Sequence, residues 1–256
     1  MMSVWVTGDI HGNPSRLSTD NFYEQKEFSG DKDENIVIIL GDFGLVWQRE
    51  ETSQEKYWLK WLEDKPFTTI FVDGNHENHQ KLFTYPEKEW NGGMVHEIRP
   101  HVLHLMRGEV FTIEGKKLFT FGGASSHDIK DGILDYNDEN WRDKARELDR
   151  VGRNMYRIKG LTWWKEELPT KEEMQHGLDV LKENNNTVDY ILSHSPSTSE
   201  LYLMGRAFYK TDVLTNYLEE IKATVDYKRH LFGHMHVNKA INDRDICLYE
   251  QIVRVL

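Results

Sequence analysis

The chain has 256 residues, of which 38% are hydrophobic and 29% are charged, and its formal net charge is −11. This composition excludes a disordered or low-complexity chain, and no stretch approaches the apolar length that a bilayer-spanning helix needs. The acidic balance argues against bulk attachment to nucleic acid, for which a basic face is expected.

The first part of the chain alternates predicted strands with helices. Short apolar or β-branched runs at residues 4–7, 35–40 and 68–72 predict three buried strands. A helix is predicted over residues 52–64, where four large side chains share one face: Tyr57, Trp58, Trp61 and Leu62. This alternation predicts parallel pairing, and ligands of such sheets collect beyond the carboxyl ends of the strands.

The rest of the chain begins as a predicted antiparallel meander, with strands at residues 94–98, 102–105, 109–113 and 117–121. A polar section with helices predicted over residues 139–153 and 171–182 follows. We interpret residues 124–185 as an insert that caps the site. Strands are predicted again at residues 188–192, 229–232, 239–241 and 246–250. Because no Pro/Ser-rich linker divides the sequence, residues 1–256 are expected to form a single domain.

The single cysteine, Cys247, lies between Ile246 and Leu248 and is predicted to be a buried strand residue. One cysteine cannot form an intrachain disulfide, so a reducing compartment fits this chain. The N-terminus has no basic region followed by an apolar core, because Asp9 interrupts the first apolar run. We therefore expect a cytoplasmic protein that does not associate with membranes.

Five segments with metal-binding residue types follow predicted strands in a fixed order. They are Gly8-Asp9-Ile10-His11-Gly12, Gly41-Asp42, Gly74-Asn75-His76-Glu77, Ser193-His194 and Gly233-His234-Met235-His236. Each segment alone occurs often in unrelated sequences. All five together, each after an apolar run, indicate one site.

These segments resemble the signature of the calcineurin-like metallophosphoesterases, which reads Asp-x-His, Gly-Asp, Gly-Asn-His-Asp/Glu, His and Gly-His-x-His. The resemblance extends from Asp9 to His236. It implies an α/β fold, a four-layer α/β/β/α sandwich of two mixed β-sheets, here with a helical cap-like insert. It also implies hydrolysis of phosphate esters with two divalent metal ions. Mixed imidazole, carboxylate and amide ligands favour Mn²⁺, with Fe or Zn²⁺ as alternatives.

The resemblance also assigns roles to individual residues. It implies that the first ion is bound by Asp9, His11 and His236. It implies that the second ion is bound by Asn75, His194 and His234, and that Asp42 binds both ions. His76 is not needed as a ligand, and the resemblance implies that it contacts phosphate and donates a proton to the leaving group. The nucleophile would be a hydroxide that bridges the two ions.

The second segment departs from one branch of the family. Protein Ser/Thr phosphatases have Gly-Asp-x-x-Asp-Arg-Gly there, whereas this chain has Leu45 and Val46 in place of the second Asp and the Arg. The group that grips phosphate must therefore come from elsewhere or be absent. Candidates in the insert are the small-residue run 122–128, which contains His127, the pair Trp163-Trp164 as a base-stacking platform, and the arginines Arg142, Arg146, Arg150 and Arg153.

For the arginines and the tryptophans, structural roles are favoured over substrate binding. Acidic residues alternate with the arginines, which is typical of a solvated, ion-paired helix face. Adjacent tryptophans are more often packing residues than platforms for a nucleobase.

We predict a metal-dependent phosphoesterase whose substrate is a phosphomonoester, either a phosphorylated small molecule such as a nucleotide or a phosphoprotein. A phosphodiesterase acting on cyclic nucleotides or nucleic-acid ends uses the same ligand set and is the alternative. A noncatalytic metal-binding scaffold is less favoured, because such descendants lose ligands, whereas all the implied ligands and His76 are present here. The oligomeric state is left open.

Overall fold

The computed structural model describes residues 3–205 and 210–256. In chain order its strands are β1 (Ser3–Thr7), β2 (Asn35–Leu40), β3 (Thr68–Val72), β4 (Glu87–Trp90), β5 (Gly93–Arg99), β6 (Val102–Leu105), β7 (Glu109–Ile113), β8 (Lys116–Phe121), β9 (Gly132–Asp135), β10 (Tyr156–Lys159), β11 (Thr187–Ser193), β12 (Asp226–Phe232), β13 (Lys239–Ala240), β14 (Asp245–Cys247) and β15 (Val253–Arg254). The α-helices are α1 (Ser53–Glu63), α2 (His79–Leu82), α3 (Trp141–Arg150), α4 (Lys171–Glu183), α5 (Thr198–Met204) and α6 (Val213–Thr224).

The first large sheet has the order β15-β1-β2-β3-β6-β5-β4. Its four central strands are parallel, and β2 and β3 are buried along their whole length. The predicted parallel pairing of the first three strands is confirmed by a register in which Val6 pairs with Ile38 and Ile38 pairs with Ile70. The carboxyl ends of these strands therefore meet at one edge.

The second large sheet has the order β13-β14-β12-β11-β8-β7, with β8, β11, β12 and β14 parallel. The predicted meander is wrong in one respect, because β5 and β6 pair in the first sheet while β7 and β8 pair in the second. The chain crosses between the sheets at Arg107 and Gly108, and Leu105 and Phe111 on either side enter the same core cluster. Cys247 is buried at the end of β14, as predicted.

Three apolar clusters produce the predicted four layers. One lies between the sheets and joins Leu40 and Val72 to Leu192 and Leu231. A second packs α1 on the outer face of the first sheet through Leu59 and Leu62. The third packs α4 and α6 on the outer face of the second sheet through Leu181, Leu214, Leu218 and Ile221. The α/β/β/α sandwich is thus confirmed.

The insert is shorter than the predicted residues 124–185. It contains α3 and a small parallel sheet of β9 and β10, in which Gly132 pairs with Tyr156. Helix α4 instead belongs to the outer layer, because Leu181 is buried against the second sheet. Across residues 3–205 and 210–256, no helix combines the length and apolarity that a membrane crossing requires.

A buried ion-paired network ties α5 and α6 to the second sheet. Nζ of Lys222 lies 2.6 Å from Glu200 and 2.9 Å from Asp245, and Nδ1 of His230 lies 2.8 Å from Glu200. Glu200, His230 and Asp245 have metal-like spacing, but Lys222 already supplies positive charge among them. We therefore treat this cluster as structural.

Replacing Glu200 by Gln should destabilise the protein in a pH-dependent way. Burial alone would raise the pKa of Glu200, but His230 and Lys222 outweigh it and lower this pKa from 4.5 to about 2. The ionised carboxylate therefore stabilises the fold above about pH 4.5, and this contribution is lost as the pH falls towards 2. At pH 7 we expect Glu200→Gln to cost about 3 kcal/mol, the lower end for a broken buried pair because Asp245 still contacts Lys222.

Urea denaturation of the wild type and of Glu200→Gln at several pH values measures the difference in their free energies of unfolding. The destabilisation by Glu200→Gln should shrink between pH 4.5 and pH 3. Glu24→Gln, at an exposed position, is the matched control and should show no such trend. A Glu200→Gln penalty that stays constant down to pH 3 would contradict the assignment.

Candidate metal centre

The predicted site residues lie at the carboxyl edges of both sheets. Asp9, Asp42 and Asn75 follow β1, β2 and β3, whereas His194 and His234 follow β11 and β12. A hydrogen bond connects the two sheets there, since the His234 amide donates to Oδ1 of the Asp9 side chain at 3.0 Å. Segments that are distant in the sequence therefore meet at one place.

One group of ligand atoms belongs to Asp9, His11, Asp42 and His236, and all of these atoms lie within 4.8 Å of one another. Nε2 of His236 is 3.1 Å from Oδ2 of Asp9 and 2.9 Å from Nε2 of His11. Such spacing suits side chains that converge on one ion, whose bonds to nitrogen and oxygen are about 2.0–2.2 Å. These are the residues that the resemblance gives to the first ion, together with the bridging Asp42.

A second group adjoins the first across Asp42. Oδ1 of Asp42 lies 3.3 Å from Nε2 of His194, while its Oδ2 faces Nδ1 of His11 at 3.7 Å. The ring of His234 is 4.9 Å from that of His194, and Asn75 is only 2% exposed. Asp42 therefore presents one oxygen to each group, which is the arrangement a bridging carboxylate needs.

The backbone at this centre is held in an uncommon conformation. Four of the predicted ligands have left-handed φ angles between 42° and 64°: His11, Asp42, His234 and His236. Such angles cost energy for residues other than glycine, and strained backbone of this kind clusters at functional sites.

Buried polar atoms at the centre fit a bound cation. Oδ2 of Asp9, Oδ1 of Asn75 and Nε2 of His194 are buried and make no hydrogen bond to the described part of the chain. Nδ1 of His194 donates to the Leu40 carbonyl at 2.7 Å, which leaves Nε2 as the ligating nitrogen. A cation would satisfy all three of these atoms, whose burial without a hydrogen bond is otherwise costly.

The electrostatics of the centre also favour added positive charge. Burial would lower the pKa of His194, but the carboxylates of Asp42 and Asp9 outweigh burial and raise this pKa to about 10. Burial would raise the pKa of Asp42, yet His194 holds it well below its ordinary value. The Asp42 carboxylate therefore stays ionised and attracts a cation, a role that divalent metal ions fill in such donor sets.

The predicted catalytic histidine lies beside this centre. The ring of His76 is 4.9 Å from that of His11, and its backbone amide donates to Oδ1 of Asp42 at 2.8 Å. Trp47 stacks on His76 at 5.5 Å and is itself packed edge-on by Trp164. Burial, opposed by Asp42 and reinforced by Arg157, lowers the pKa of His76 to about 4. The imidazole is thus neutral and fixed in orientation.

The family model for calcineurin-like phosphoesterases matches residues 2–238. The chain belongs to this family. Its members hydrolyse phosphoric ester bonds, so the protein is a hydrolase of that class and a metal-dependent phosphoesterase. A comparison with curated proteins gave no match.

Glu77 of the phosphoesterase connects the second and third motifs. Its carboxyl oxygens accept hydrogen bonds from the amides of Phe43 at 2.6 Å, Gly44 at 3.3 Å and Gly74 at 2.7 Å. Burial, reinforced by Asp42, raises the pKa of Glu77 to about 8. This side chain sets the spacing between the Asp42 and Asn75 loops.

The proposed arginine clamp of the insert is not at the phosphoesterase centre. Arg146 and Arg150 pair with Asp143 and Glu147 on the exposed face of α3, and Arg153 pairs with Asp131. The ion-paired interpretation is therefore confirmed for these three arginines. Arg142 instead lies over the ring of its neighbour Trp141.

The predicted packing role of the tryptophan pair is also confirmed. Trp164 is buried against Trp47, and Nε1 of Trp163 donates to Glu167 at 3.0 Å.

Arg157 is the arginine of the insert that reaches the phosphoesterase centre. It is 5% exposed, and its Nη2 donates to Nε2 of His76 at 2.8 Å. Sequence reasoning missed it because a single arginine in the short strand β10 carries no distinguishing pattern.

A cavity of about 930 Å³ opens beside the centre, between the insert and the second sheet. Its walls include Ser126 and His127 on one side, Pro196 and Leu201 on the other, and the predicted ligand His234 at one end. Glu167 holds Ser126 in place by accepting from its amide and its hydroxyl. The small-residue run therefore forms a wall of this cavity.

Gly74→Ala should weaken metal binding by the phosphoesterase. A Cβ at Gly74 would lie 2.2 Å from Oδ1 of Asp42 and 2.8 Å from Nε2 of His194, so both side chains would have to move. We expect a 10- to 100-fold loss of metal affinity, the range seen when ligands lose their orientation, about 1–3 kcal/mol. Calorimetric titration with Mn²⁺ measures it.

Gly115→Ala is the control, because a Cβ there meets nothing within 4 Å although φ is +68°. It should cost about 1 kcal/mol of stability through backbone strain and leave metal affinity unchanged. Equal Mn²⁺ affinities of Gly74→Ala and wild type would show that this close approach is not required.

Proposed function

We propose that the protein hydrolyses phosphomonoesters with two divalent cations, Mn²⁺ being favoured. The observation that carries this proposal is the position of Asp42, whose two oxygens face two separate groups of candidate ligands. When bound, the cations supply an activated water and stabilise charge on the phosphoryl and leaving oxygens.

The remaining steps fall to side chains of this chain. We assign Asp9, His11 and His236 as ligands of the first ion. Asn75, His194 and His234 are assigned to the second ion, and Asp42 to both. His76 is neutral before substrate binds, and a bound phosphate anion favours its protonated form. We assign His76 to contact the phosphoryl group and, in that protonated form, to transfer a proton to the leaving oxygen. Its stacking on Trp47 and the hydrogen bond from its amide to Asp42 support this position.

The neighbouring cavity supports a substrate with an organic group of appreciable size. Ligand pockets usually measure about 300–1,000 Å³, and this cavity has about 930 Å³ next to His234. We infer a phosphorylated small molecule such as a nucleotide, or a phosphoprotein segment, as the partner. The cytoplasmic location stays a prediction.

Hydrolysis of p-nitrophenyl phosphate and of bis(p-nitrophenyl) phosphate with added Mn²⁺ tests the proposal. We expect the monoester to react at least about tenfold faster in kcat/KM, a difference of about 1.4 kcal/mol in transition-state binding. Faster reaction of the diester would favour the phosphodiesterase alternative. Hydrolysis of neither ester by protein that holds two ions would favour the noncatalytic scaffold.

A further inference from the structure

We propose that Arg157 binds a terminal oxygen of the substrate phosphate, so that the insert supplies the phosphate-gripping group that the second motif lacks. The positions of the missing Asp and Arg are occupied by Leu45 and Val46, which are 2% and 0% exposed and donate no hydrogen bond from their side chains. This inference rests on the proposed function and specifies which phosphoesters the centre prefers.

The guanidinium of Arg157 is fixed before any ligand arrives. Its Nε donates to Oδ1 of Asp128 at 2.6 Å, and its Nη1 donates to the Thr162 carbonyl at 3.0 Å. With two of its nitrogens held by the insert, Nη2 is directed at His76. A pre-oriented guanidinium loses little side-chain entropy when it binds an oxyanion.

The contact between Arg157 and His76 is the one that a phosphate would replace. A guanidinium has donors and no acceptor, so Nε2 of His76 carries no proton in this contact. A phosphate oxygen carries negative charge whereas Nε2 of a neutral imidazole carries none, so the guanidinium binds the phosphate oxygen more strongly. Nη2 can therefore change its acceptor from His76 to a phosphate oxygen while the contacts of Arg157 to Asp128 and Thr162 are kept.

The charge of Arg157 is not cancelled by its partner. Asp128 accepts from Nε, and its side chain is 42% exposed, so water screens its charge. The side chain of Arg157 is only 6% exposed. The guanidinium therefore retains positive charge for an anion bound beside His76.

This arrangement favours monoesters over diesters. A phosphomonoester has three terminal oxygens and two negative charges, whereas a diester has two terminal oxygens and one charge. If the ions and Arg157 each engage a terminal oxygen, a diester leaves one of these groups without a partner, which is costly in a buried site. Arg157 is thus a specificity-determining residue for the monoester reaction.

Calorimetric titration of the Mn²⁺-loaded protein with inorganic phosphate tests the proposal without turnover. Arg157→Ala should weaken phosphate binding about 10- to 100-fold, as loss of a hydrogen bond to a charged group does, and Arg157→Lys should recover part of this loss. Arg153→Ala, at an exposed ion pair of the same insert, should bind phosphate as the wild type does. Mn²⁺ uptake should be equal in all four proteins.

The same variants are then compared on the mono- and bis(p-nitrophenyl) esters. Arg157→Ala should lower kcat/KM for the monoester at least about tenfold more than for the diester. Unchanged phosphate affinity in Arg157→Ala overturns the proposal, and so does an equal loss for both esters. If the wild type hydrolyses neither ester but its phosphate binding depends on Arg157, the proposed function fails while the phosphate site stands.

Discussion

Asp42→Asn is expected to lower kcat/KM for p-nitrophenyl phosphate by at least about 10²-fold, because it removes the charge shared by both groups of ligands. The substitution keeps the size of the side chain and the oxygen that accepts from the His76 amide at 2.8 Å. The local fold should therefore survive, while the attraction for the second cation falls. We expect the variant to bind fewer than two ions per chain.

Metal content after dialysis against Mn²⁺ and the rate of p-nitrophenyl phosphate hydrolysis are the two measurements. Asp64→Asn is the matched control, because its carboxylate is 61% exposed in a surface pair with Lys60 and such pairs contribute little. It should retain both ions and full activity. An Asp42→Asn variant that retains two ions and full turnover would refute the bridging arrangement on which the proposed function rests.

The strands that position the site were predictable because their sequences are unambiguous. Residues 36–40 of β2 and the whole of β3 are uninterrupted apolar or β-branched runs, and such runs are typical of strands covered on both faces. Each run ends at a glycine-containing motif, so the predicted site residues fall at the sheet edge. Parallel pairing then brings Asp9, Asp42 and Asn75 together without any further information.

Weaker patterns explain the elements that were missed. β4 has the polar sequence Glu-Lys-Glu-Trp, and it pairs only with β5 at the edge of the first sheet. Helix α6 was not predicted, although its apolar residues recur at helical spacing: Leu214, Tyr217, Leu218 and Ile221. Helix α4 was predicted from its amphipathic pattern. Such a pattern does not indicate which surface of the protein the helix packs against.

Side-chain contacts outside the five motifs were beyond prediction. Asp73, directly before Gly74, is buried and forms an ion pair with Arg107, and it also contacts His79 and His104. Both histidines are buried in this network. Arg157 is a similar case, because only the folded insert brings it to His76.

His76→Gln is expected to lower kcat by about 10²- to 10⁴-fold, the usual contribution of a positioned general acid. Metal content should not change, because His76 contributes its backbone amide, and not its ring, to the contact with Asp42. Phosphate binding should also be largely kept, since the ions and Arg157 stay in place. A loss confined to kcat would separate proton transfer from substrate binding.

Two substrates with different leaving groups test proton transfer by His76 directly. p-Nitrophenolate is a stable anion that needs little protonation, whereas the alkoxide released from glycerol phosphate needs a proton. If His76 delivers that proton, His76→Gln should impair hydrolysis of glycerol phosphate at least about tenfold more than hydrolysis of p-nitrophenyl phosphate. Trp47→Phe, which keeps an aromatic ring against His76, should affect both substrates alike. Equal losses for the two leaving groups in His76→Gln would instead assign His76 to phosphate binding alone.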